Sequence, residues 1–188
     1  FNSNLLKEYF DNHNYNFYSS FVFEPVFNAG LRKDLLKRPK ILKKKKQILI
    51  YGRPSTDRNA FSLIISALKK WVWLQTDIEE WEILSAGEKH RTIDLGNGKV
   101  VISVGKLTIE QYANVLAESF AGISLMASPH PSYPPLEMAV YGVRVITNQY
   151  ENKNLSSFNQ NIISLSDISV ISIARNLQNI CDQYVREV

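Results

Sequence analysis

The sequence predicts an α/β fold built on a doubly wound parallel sheet. Six short, almost continuously apolar runs have the pattern of strands buried on both faces: QILIYG, WEILSAG, VVISVG, AGISLMAS, VRVITN and NIISLS. Helical segments separate most of these runs, and such alternation is typical of parallel sheets with helical crossovers. The 188 residues are enough for one domain with a substantial core.

The first part of the chain is predicted to lie outside the sheet. Residues 2–12 have the apolar spacing of a helix, residues 21–27 are predicted to be extended, and residues 31–46 to be a connector. Pro25 lacks the N–H that a central strand needs, so the extended segment is not expected inside the sheet. The predicted regions are therefore 1–46 and 47–188.

The helices of the second region are predicted from their apolar spacing and their end signals. They cover residues 58–73, 108–119, 135–142 and 167–187. Thr108 is a suitable N-cap, and Gln111 follows it at the capping-box spacing. Gly142 is expected to end the third of these helices, because glycine accepts the left-handed conformation that often follows a helix. Cys181 lies on the apolar stripe of the last helix, so we expect it to pack in the core.

The positive charge of the chain is concentrated in one short run. The net charge is +4, and seven cations follow one another with no acid between them: Lys37, Arg38, Lys40, Lys43, Lys44, Lys45 and Lys46. The ordinary interpretation is a solvated linker. The alternative is a peripheral contact with an anionic membrane surface. No nucleic-acid-binding module accompanies the run, so we expect no nucleic-acid partner.

The cysteine and apolar content favour the cytoplasm, with the inner face of the cell membrane as the alternative location. A single cysteine excludes an intramolecular disulfide and suits a reducing compartment. No apolar run approaches the roughly 20 residues of a membrane span, and no signal-peptide pattern is visible.

The segment from Ser128 to Asn148 carries the strongest functional signal. Its prolines stop where a helix can begin, and proline is tolerated in a first helical turn. The unpaired N–H groups of that turn can bind an anion such as a diphosphate. Glu137 follows about one turn later, where its carboxylate could accept hydrogen bonds from sugar hydroxyls. Together these features suit a nucleotide-sugar.

Two further loops carry cations at the predicted carboxyl edge of the sheet. After the first strand, Gly52 allows close approach of a ligand, and Arg53 and Arg58 can fork onto phosphate oxygens. The alternative is that one of these arginines pairs with Asp57 at the surface. Lys106 precedes a helix N-terminus, where a bound anion would relieve its repulsion by the helix dipole. The alternative for Lys106 is a merely exposed lysine.

The proline-rich loop itself offers three candidates. His130 stands between two prolines and is expected to bind a phosphate or a sugar hydroxyl. No partner at metal spacing accompanies it, so we expect no metal. Ser132 and Tyr133 could donate backbone N–H groups to a diphosphate, and Tyr133 could instead stack on a base or pack.

These residues lie in motifs that resemble a known family. PPLEMAVYGVRVITN resembles the PxxEAMAxGxPVI block of the retaining, family-4-like GT-B glycosyltransferases. YGRPSTDRN, SAGE, SVGKLTIEQYANVLAES and SLMASPHPSYPPLE resemble more narrowly the bacterial rhamnosyltransferases of rhamnan and S-layer glycan synthesis. The resemblance runs from Phe21 to the C-terminus. It implies a Rossmann-like, C-terminal donor-binding half of a GT-B fold, a nucleotide-sugar donor, namely dTDP-rhamnose, and neither a metal nor a redox cofactor.

The resemblance also implies roles for individual residues. It places Arg53, Lys106, Arg58 and Asn59 at the diphosphate and Glu137 at the ribose. The acceptor site and any base would then lie in a preceding domain, so the chain alone is expected to transfer no sugar; His130 is its one candidate for a catalytic group. The family usually has a glutamate eight positions before that of Glu137, where this sequence has Pro129. Sugar recognition must therefore differ, which is compatible with a deoxysugar.

The sequence is also compatible with two other function classes. One is another GT-B enzyme, such as a nucleotide-sugar epimerase, which would form a soluble product without an acceptor. The other is a non-catalytic, flavodoxin-like binding module, which would have no affinity for nucleoside diphosphates.

Overall fold

The computed structural model describes residues 1, 3–22, 27–39 and 42–184, and within them the chain forms one seven-stranded sheet with helices on both faces. The strands are β1 (Lys45–Gly52), β2 (Glu82–Gly87), β3 (Ile93–Gly96), β4 (Lys99–Gly105), β5 (Ser119–Ile123), β6 (Arg144–Asn148) and β7 (Ile162–Leu165). The helices are α1 (Asn4–Asn12), α2 (Ala29–Leu35), α3 (Phe61–Trp71), α4 (Ile109–Glu118), α5 (Tyr133–Val140) and α6 (Val170–Cys181).

The strand order is β3-β4-β2-β1-β5-β6-β7, and every pair is parallel except β3 with β4. Strands β2, β4 and β3 lie on one side of β1, and β5, β6 and β7 lie on its other side. The order therefore reverses between β1 and β5, and ligands of such sheets bind beyond the carboxyl ends of the strands at this switch. The predicted α/β class with a doubly wound, mainly parallel sheet is confirmed.

The core has one apolar layer on each face of the sheet. Successive side chains of a strand point to opposite faces, so Ile48 and Ile50 join one layer and Leu49 joins the other. The first layer lies under α3 and α6 and contains Trp71 and Trp81, whose rings meet edge to face at 6.0 Å. Cys181 is buried in this layer, as predicted, and burial raises the pKa of its thiol.

Helix α4 begins as its sequence signals predict, whereas the ends of the other three helices of the region 47–188 differ from the prediction by two or more residues. In α4 the Thr108 hydroxyl accepts from the Gln111 N–H at 3.2 Å, and the Gln111 side chain accepts from the Thr108 N–H at 3.0 Å. This is the predicted capping box.

Helix α5 begins at Tyr133, two residues before the predicted start, and α6 ends at Cys181 rather than at the predicted residue 187. Helix α3 begins at Phe61 rather than at the predicted Arg58. A short 3₁₀ turn comes first, and Ala60 then adopts a left-handed conformation with φ 49°.

The N-terminal region is more regular than predicted. Helix α1 lies within the predicted helical segment, but the predicted connector at 31–46 includes most of α2 and the first residues of β1. Asn28 caps α2 by accepting from the N–H groups of Gly30 and Leu31. Leu31 is buried, and α2 packs against α4. Of the segment predicted to be extended, residues 23–26 lie outside the described part of the chain.

Several cations of the basic run are bound within the domain, so a fully solvated linker was a wrong prediction for them. The Lys44 ammonium donates to the carbonyls of Leu116 at 3.1 Å and Tyr141 at 2.7 Å, and burial lowers its pKa to about 8. Lys45 and Lys46 belong to β1. Lys45 pairs with Glu118 at 2.8 Å, and Lys46 pairs with Asp77 and Glu80.

Arg38 is also engaged, because its guanidinium donates to the Asp34 carboxylate at 3.0 Å and to the Asn114 side chain at 2.6 Å. A membrane contact through all seven cations together is therefore not available. Contact through Lys37 and Lys43 remains a prediction, and Lys40 lies outside the described residues. Among the helices that the structure describes, none has the length and apolarity to cross a membrane.

Candidate functional site

A cavity of about 350 Å³ opens at the carboxyl ends of β1, β2 and β4. Its lining residues are Tyr51, Arg53, Ala86, Gly87, Lys106, Leu107 and Tyr112. Arg53 follows β1 and Lys106 follows β4, and β2 lies between these two strands. The parallel sheet therefore places both cations across the end of β2, although they are far apart in sequence. Both were predicted to bind phosphate.

The charge of this cavity is positive, because its lining contains two cations and no carboxylate. The acid beside it, Glu88, accepts from the Ser55 hydroxyl at 2.6 Å and from the Ser55 N–H at 3.2 Å. The hydrogen bond from the Ser55 hydroxyl lowers the pKa of Glu88, and Arg53 lowers it further. Among the described residues, no ion pair joins Arg53 or Arg58 to Asp57, so the predicted surface pair is not formed.

Glu137 is associated with this cavity through Tyr112. Glu137 is a half-buried residue of α5, and burial raises its pKa, while the nearby Tyr112 hydroxyl limits the rise. The buried Tyr112 hydroxyl is close enough to Glu137 to affect this pKa, but it makes no hydrogen bond within ordinary distance and angle limits. Burial raises the pKa of Tyr112 well above its usual range, and the Glu137 charge adds to this. The Glu137 carboxylate thus lies near Tyr112, which lines the cavity together with the two cations.

The loop before α5 is held by its own histidine. The His130 Nδ1 atom accepts from the backbone N–H of Ser132 at 3.0 Å, and the backbone N–H of His130 donates to the Ser128 hydroxyl at 3.2 Å. A nitrogen that accepts carries no proton, so a neutral His130 has its proton on Nε2. Burial lowers the pKa of His130, with smaller contributions from Lys153 and Arg58, which favours this neutral form. His130 therefore presents an N–H donor at neutral pH.

The same contacts correct the role predicted for Ser132. Its backbone N–H is already bonded to His130, so it is not available to a diphosphate in this arrangement. Ser132 is buried and has φ 64°, a left-handed conformation that is uncommon for a residue with a side chain. This turn directs the chain into α5, where Pro134 and Pro135 occupy the first turn as predicted. Tyr133 is the first residue of α5, and its predicted contact with the diphosphate remains untested.

A second set of positive groups lies on the other side of the switch. Arg58 is exposed after β1, and Lys153 is buried in the loop after β6; both lie near enough to His130 to affect its pKa. Arg58 was predicted from the sequence, whereas Lys153 was not. It occupies a polar loop with no motif, and only its burial in the folded chain distinguishes it.

The structure gives Gly52 and Asn59 roles in internal packing. A Cβ atom on Gly52 would lie 2.0 Å from the Ser85 hydroxyl and 2.9 Å from the Phe61 ring, so this glycine is required by internal packing, and its predicted role in ligand approach remains a prediction. Asn59 is buried, and its side-chain amide donates to the Leu125 carbonyl at 3.2 Å. It braces the chain after β5, and its predicted contact with the diphosphate remains a prediction.

Gly52→Ala is expected to lower the free energy of unfolding by about 1–3 kcal/mol, the usual effect of overpacking. The Ser85 hydroxyl cannot easily move aside, because it bonds the His90 ring at 2.8 Å. Ser85→Ala removes the closest atom and should restore part of the loss. Denaturant melts of the two single variants and the double variant measure the coupling. Simple additivity would contradict the proposed contact.

The family model described as "WsaF, C-terminal domain" matches residues 46–178. The chain belongs to this family. The O-antigen biosynthesis protein RfbC of Myxococcus xanthus is 35% identical over 103 residues, which are 54% of this chain and 8% of that protein. The chain thus spans a small part of the length of this relative.

Solved structures with the same fold include GT-B glycosyltransferases. TarM aligns with a TM-score of 0.64 and 15% identity, over 97% of this chain and 36% of its own length. Sucrose-phosphate synthase of Thermosynechococcus elongatus aligns with a TM-score of 0.64 and 15% identity, over 96% of this chain and 48% of its own. At this identity the likeness shows the fold alone, and it confirms the GT-B resemblance of the sequence.

The pneumococcal O-GlcNAc transferase GtfA, solved in complex with UDP and GlcNAc, aligns with a TM-score of 0.55 and 12% identity, over 77% of this chain and 30% of its own. Each of these chains is more than twice as long as the part that aligns.

Proposed function

We propose that this chain is the donor-binding domain of a glycosyltransferase of cell-surface polysaccharide synthesis, and that it binds a nucleoside-diphosphate sugar. The observation that carries the proposal is the meeting of Arg53 and Lys106 at one cavity that contains no carboxylate. Two cations across the end of a parallel strand suit a diphosphate, which carries charge on both phosphates. The name of the Myxococcus relative, an O-antigen biosynthesis protein, supports the polysaccharide role.

In the proposed complex each group has a defined task. Arg53 and Lys106 bind the diphosphate and neutralise the charge that develops as it leaves the sugar. The Nε2–H of His130 donates to a phosphate or sugar oxygen. Glu137 accepts hydrogen bonds from the hydroxyls of the nucleoside sugar, with Tyr112 beside it. Arg58 adds positive charge from the other side of the switch in strand order.

The donor that we propose is dTDP-rhamnose, and the acceptor is a growing glycan bound by another part of a longer enzyme. The donor proposal is supported by the resemblance of the motifs to bacterial rhamnosyltransferases. It is also supported by Pro129, which lies at a position where the broader family has a sugar-binding glutamate. A proline side chain cannot accept a hydrogen bond, and a deoxysugar offers one hydroxyl fewer.

Calorimetric titration with dTDP, UDP and GDP tests the proposal. We expect the chain to bind at least one of these diphosphates, with dTDP the tightest, and to transfer no sugar on its own. Absence of binding to all three would favour the flavodoxin-like binding module. Formation of a new soluble sugar without an acceptor would identify an epimerase. Sugar transfer by the 188 residues alone would contradict the assignment of the acceptor site to another domain.

A further inference from the structure

We propose that Lys153 is a positioning residue of the anion site, a buried cation that fixes the loop before α5 and adds positive potential where the diphosphate binds. The proposal rests on the proposed function, because it assumes that the anion is the donor's diphosphate. Lys153 belongs to none of the motifs described above, and it does not line the cavity between Arg53 and Lys106.

The environment of Lys153 is unusual for a lysine. Its side chain is 0% exposed, and its ammonium donates to the Met126 carbonyl at 2.6 Å. The ring of Tyr150 is also near, with its centre 5.9 Å from the Lys153 ammonium. None of the ion pairs in the described residues includes Lys153. A buried ammonium is normally paired with an acid, so this cation lacks the counter-charge expected of it.

Keeping this cation reduces the stability of the domain. Burial lowers the pKa of Lys153 to about 8 from an ordinary 10.5, so it is mainly protonated at neutral pH in spite of burial. Between about pH 8 and pH 10.5 the unfolded chain binds more protons than the folded chain. The contribution of Lys153 to stability therefore increases as the pH rises through this range. A buried charge that destabilises the fold is a candidate for function.

The position of Lys153 connects it to the anion site. The Met126 carbonyl also accepts from the Asn148 side-chain amide at 3.1 Å, and the Asn148 side-chain oxygen accepts from the Met126 N–H at 2.7 Å. Met126 is thus held on both sides by residues of β6 and the following loop. His130 follows four residues later, at the entrance to α5, and the charge of Lys153 reaches it. An anion bound there would supply the missing counter-charge.

The chain contains a matched control. Lys44 is also a largely buried lysine whose pKa burial lowers to about 8, and its ammonium also donates to backbone carbonyls. It precedes β1 and therefore lies at the opposite edge of the sheet from the cavity. If burial of a lysine mattered only for folding, changes at Lys44 and Lys153 would have similar consequences for binding.

The test compares Lys153→Met and Lys153→Gln with Lys44→Met at neutral pH. Each is titrated with dTDP, UDP and GDP and with the corresponding nucleosides. We expect both Lys153 variants to bind the diphosphate at least about tenfold more weakly, which is about 1.4 kcal/mol, with nucleoside affinity unchanged. Their melting temperatures should equal or exceed that of the wild type, because a buried charge is removed. Lys44→Met should bind like the wild type.

Wild-type diphosphate affinity in both Lys153 variants would overturn this inference and leave the proposed function intact. A parallel loss for nucleoside and diphosphate would also overturn it, since it would indicate a general effect on the fold. Lys153→Gln removes the charge but keeps a side-chain N–H that can donate to the Met126 carbonyl. This variant therefore tests the charge without removing the donor at this position. Failure of the wild-type chain to bind any of the three diphosphates would instead refute the proposed function.

Discussion

Arg53→Ala and Lys106→Ala should each weaken diphosphate binding by about 1.5–3 kcal/mol, the usual range for a hydrogen bond to a charged group. Both side chains line a cavity that contains no carboxylate, so nothing in its lining competes with a phosphate for them. The loss should be much smaller for the bare nucleoside, which has no phosphate. Calorimetric titration of each variant with a nucleoside diphosphate and its nucleoside gives the two losses.

A surface arginine provides the control. Arg175 is exposed on α6, far along the chain from the cavity residues, and Arg175→Ala should leave both affinities unchanged. The Arg53 and Lys106 losses should not add in the double variant, because two groups that share one ligand are coupled. Equal losses for nucleoside and diphosphate would show that these residues act on the fold or on the base instead.

The strands of the fold were predictable because the strands of a parallel sheet are buried on both faces. Each apolar run between loops, such as QILIYG, could form a strand with few alternatives. Elements whose stability depends on distant partners were missed. Helix α2 has seven residues within a basic segment, and its only buried residue is Leu31. Strand β3 has four residues and forms an edge hairpin with β4, and the turn at Gly96 to Gly98 was the only sequence signal for it.

The cations of the candidate site were predictable for a similar reason. Arg53 and Lys106 follow strands, and a parallel sheet brings the carboxyl ends of its strands to one edge. The sequence could not show why Gly52 is a glycine, because Ser85 contributes the atom that excludes a side chain there. Nor could it identify Tyr112 or Lys153. Their importance depends on burial, which results from the packing of distant segments.

Glu137→Gln is expected to damage nucleoside binding strongly. If the carboxylate accepts two sugar hydroxyls, the amide keeps one acceptor and presents an N–H group to the other hydroxyl. We expect a loss of about 1.5–3 kcal/mol for each charge-assisted bond that is removed. The alternative is that Glu137 only stabilises the helix dipole, an effect confined to the first turn. The structure makes this alternative weak, because Glu137 is the fifth residue of α5 and no acid lies in its first turn.

The pH dependence of the same variant separates the two roles. Burial raises the pKa of Glu137 above 4.5, so the folded chain binds its proton more readily than the unfolded chain. The contribution of Glu137 to stability therefore increases as the pH falls through this raised pKa, whereas nucleoside binding should weaken, because it needs the ionised carboxylate. Asp34, Asp77 and Glu88 have lowered pKa values, so their stabilising contributions are lost in acid in both the wild type and the variant. The difference in stability between the two proteins therefore isolates the contribution of Glu137. Titrations and melts are measured from neutral pH down through the raised pKa of Glu137. The titrations should show weak, pH-independent nucleoside binding by Glu137→Gln. A lower melting temperature with wild-type nucleoside affinity at every pH would reject the sugar-binding role.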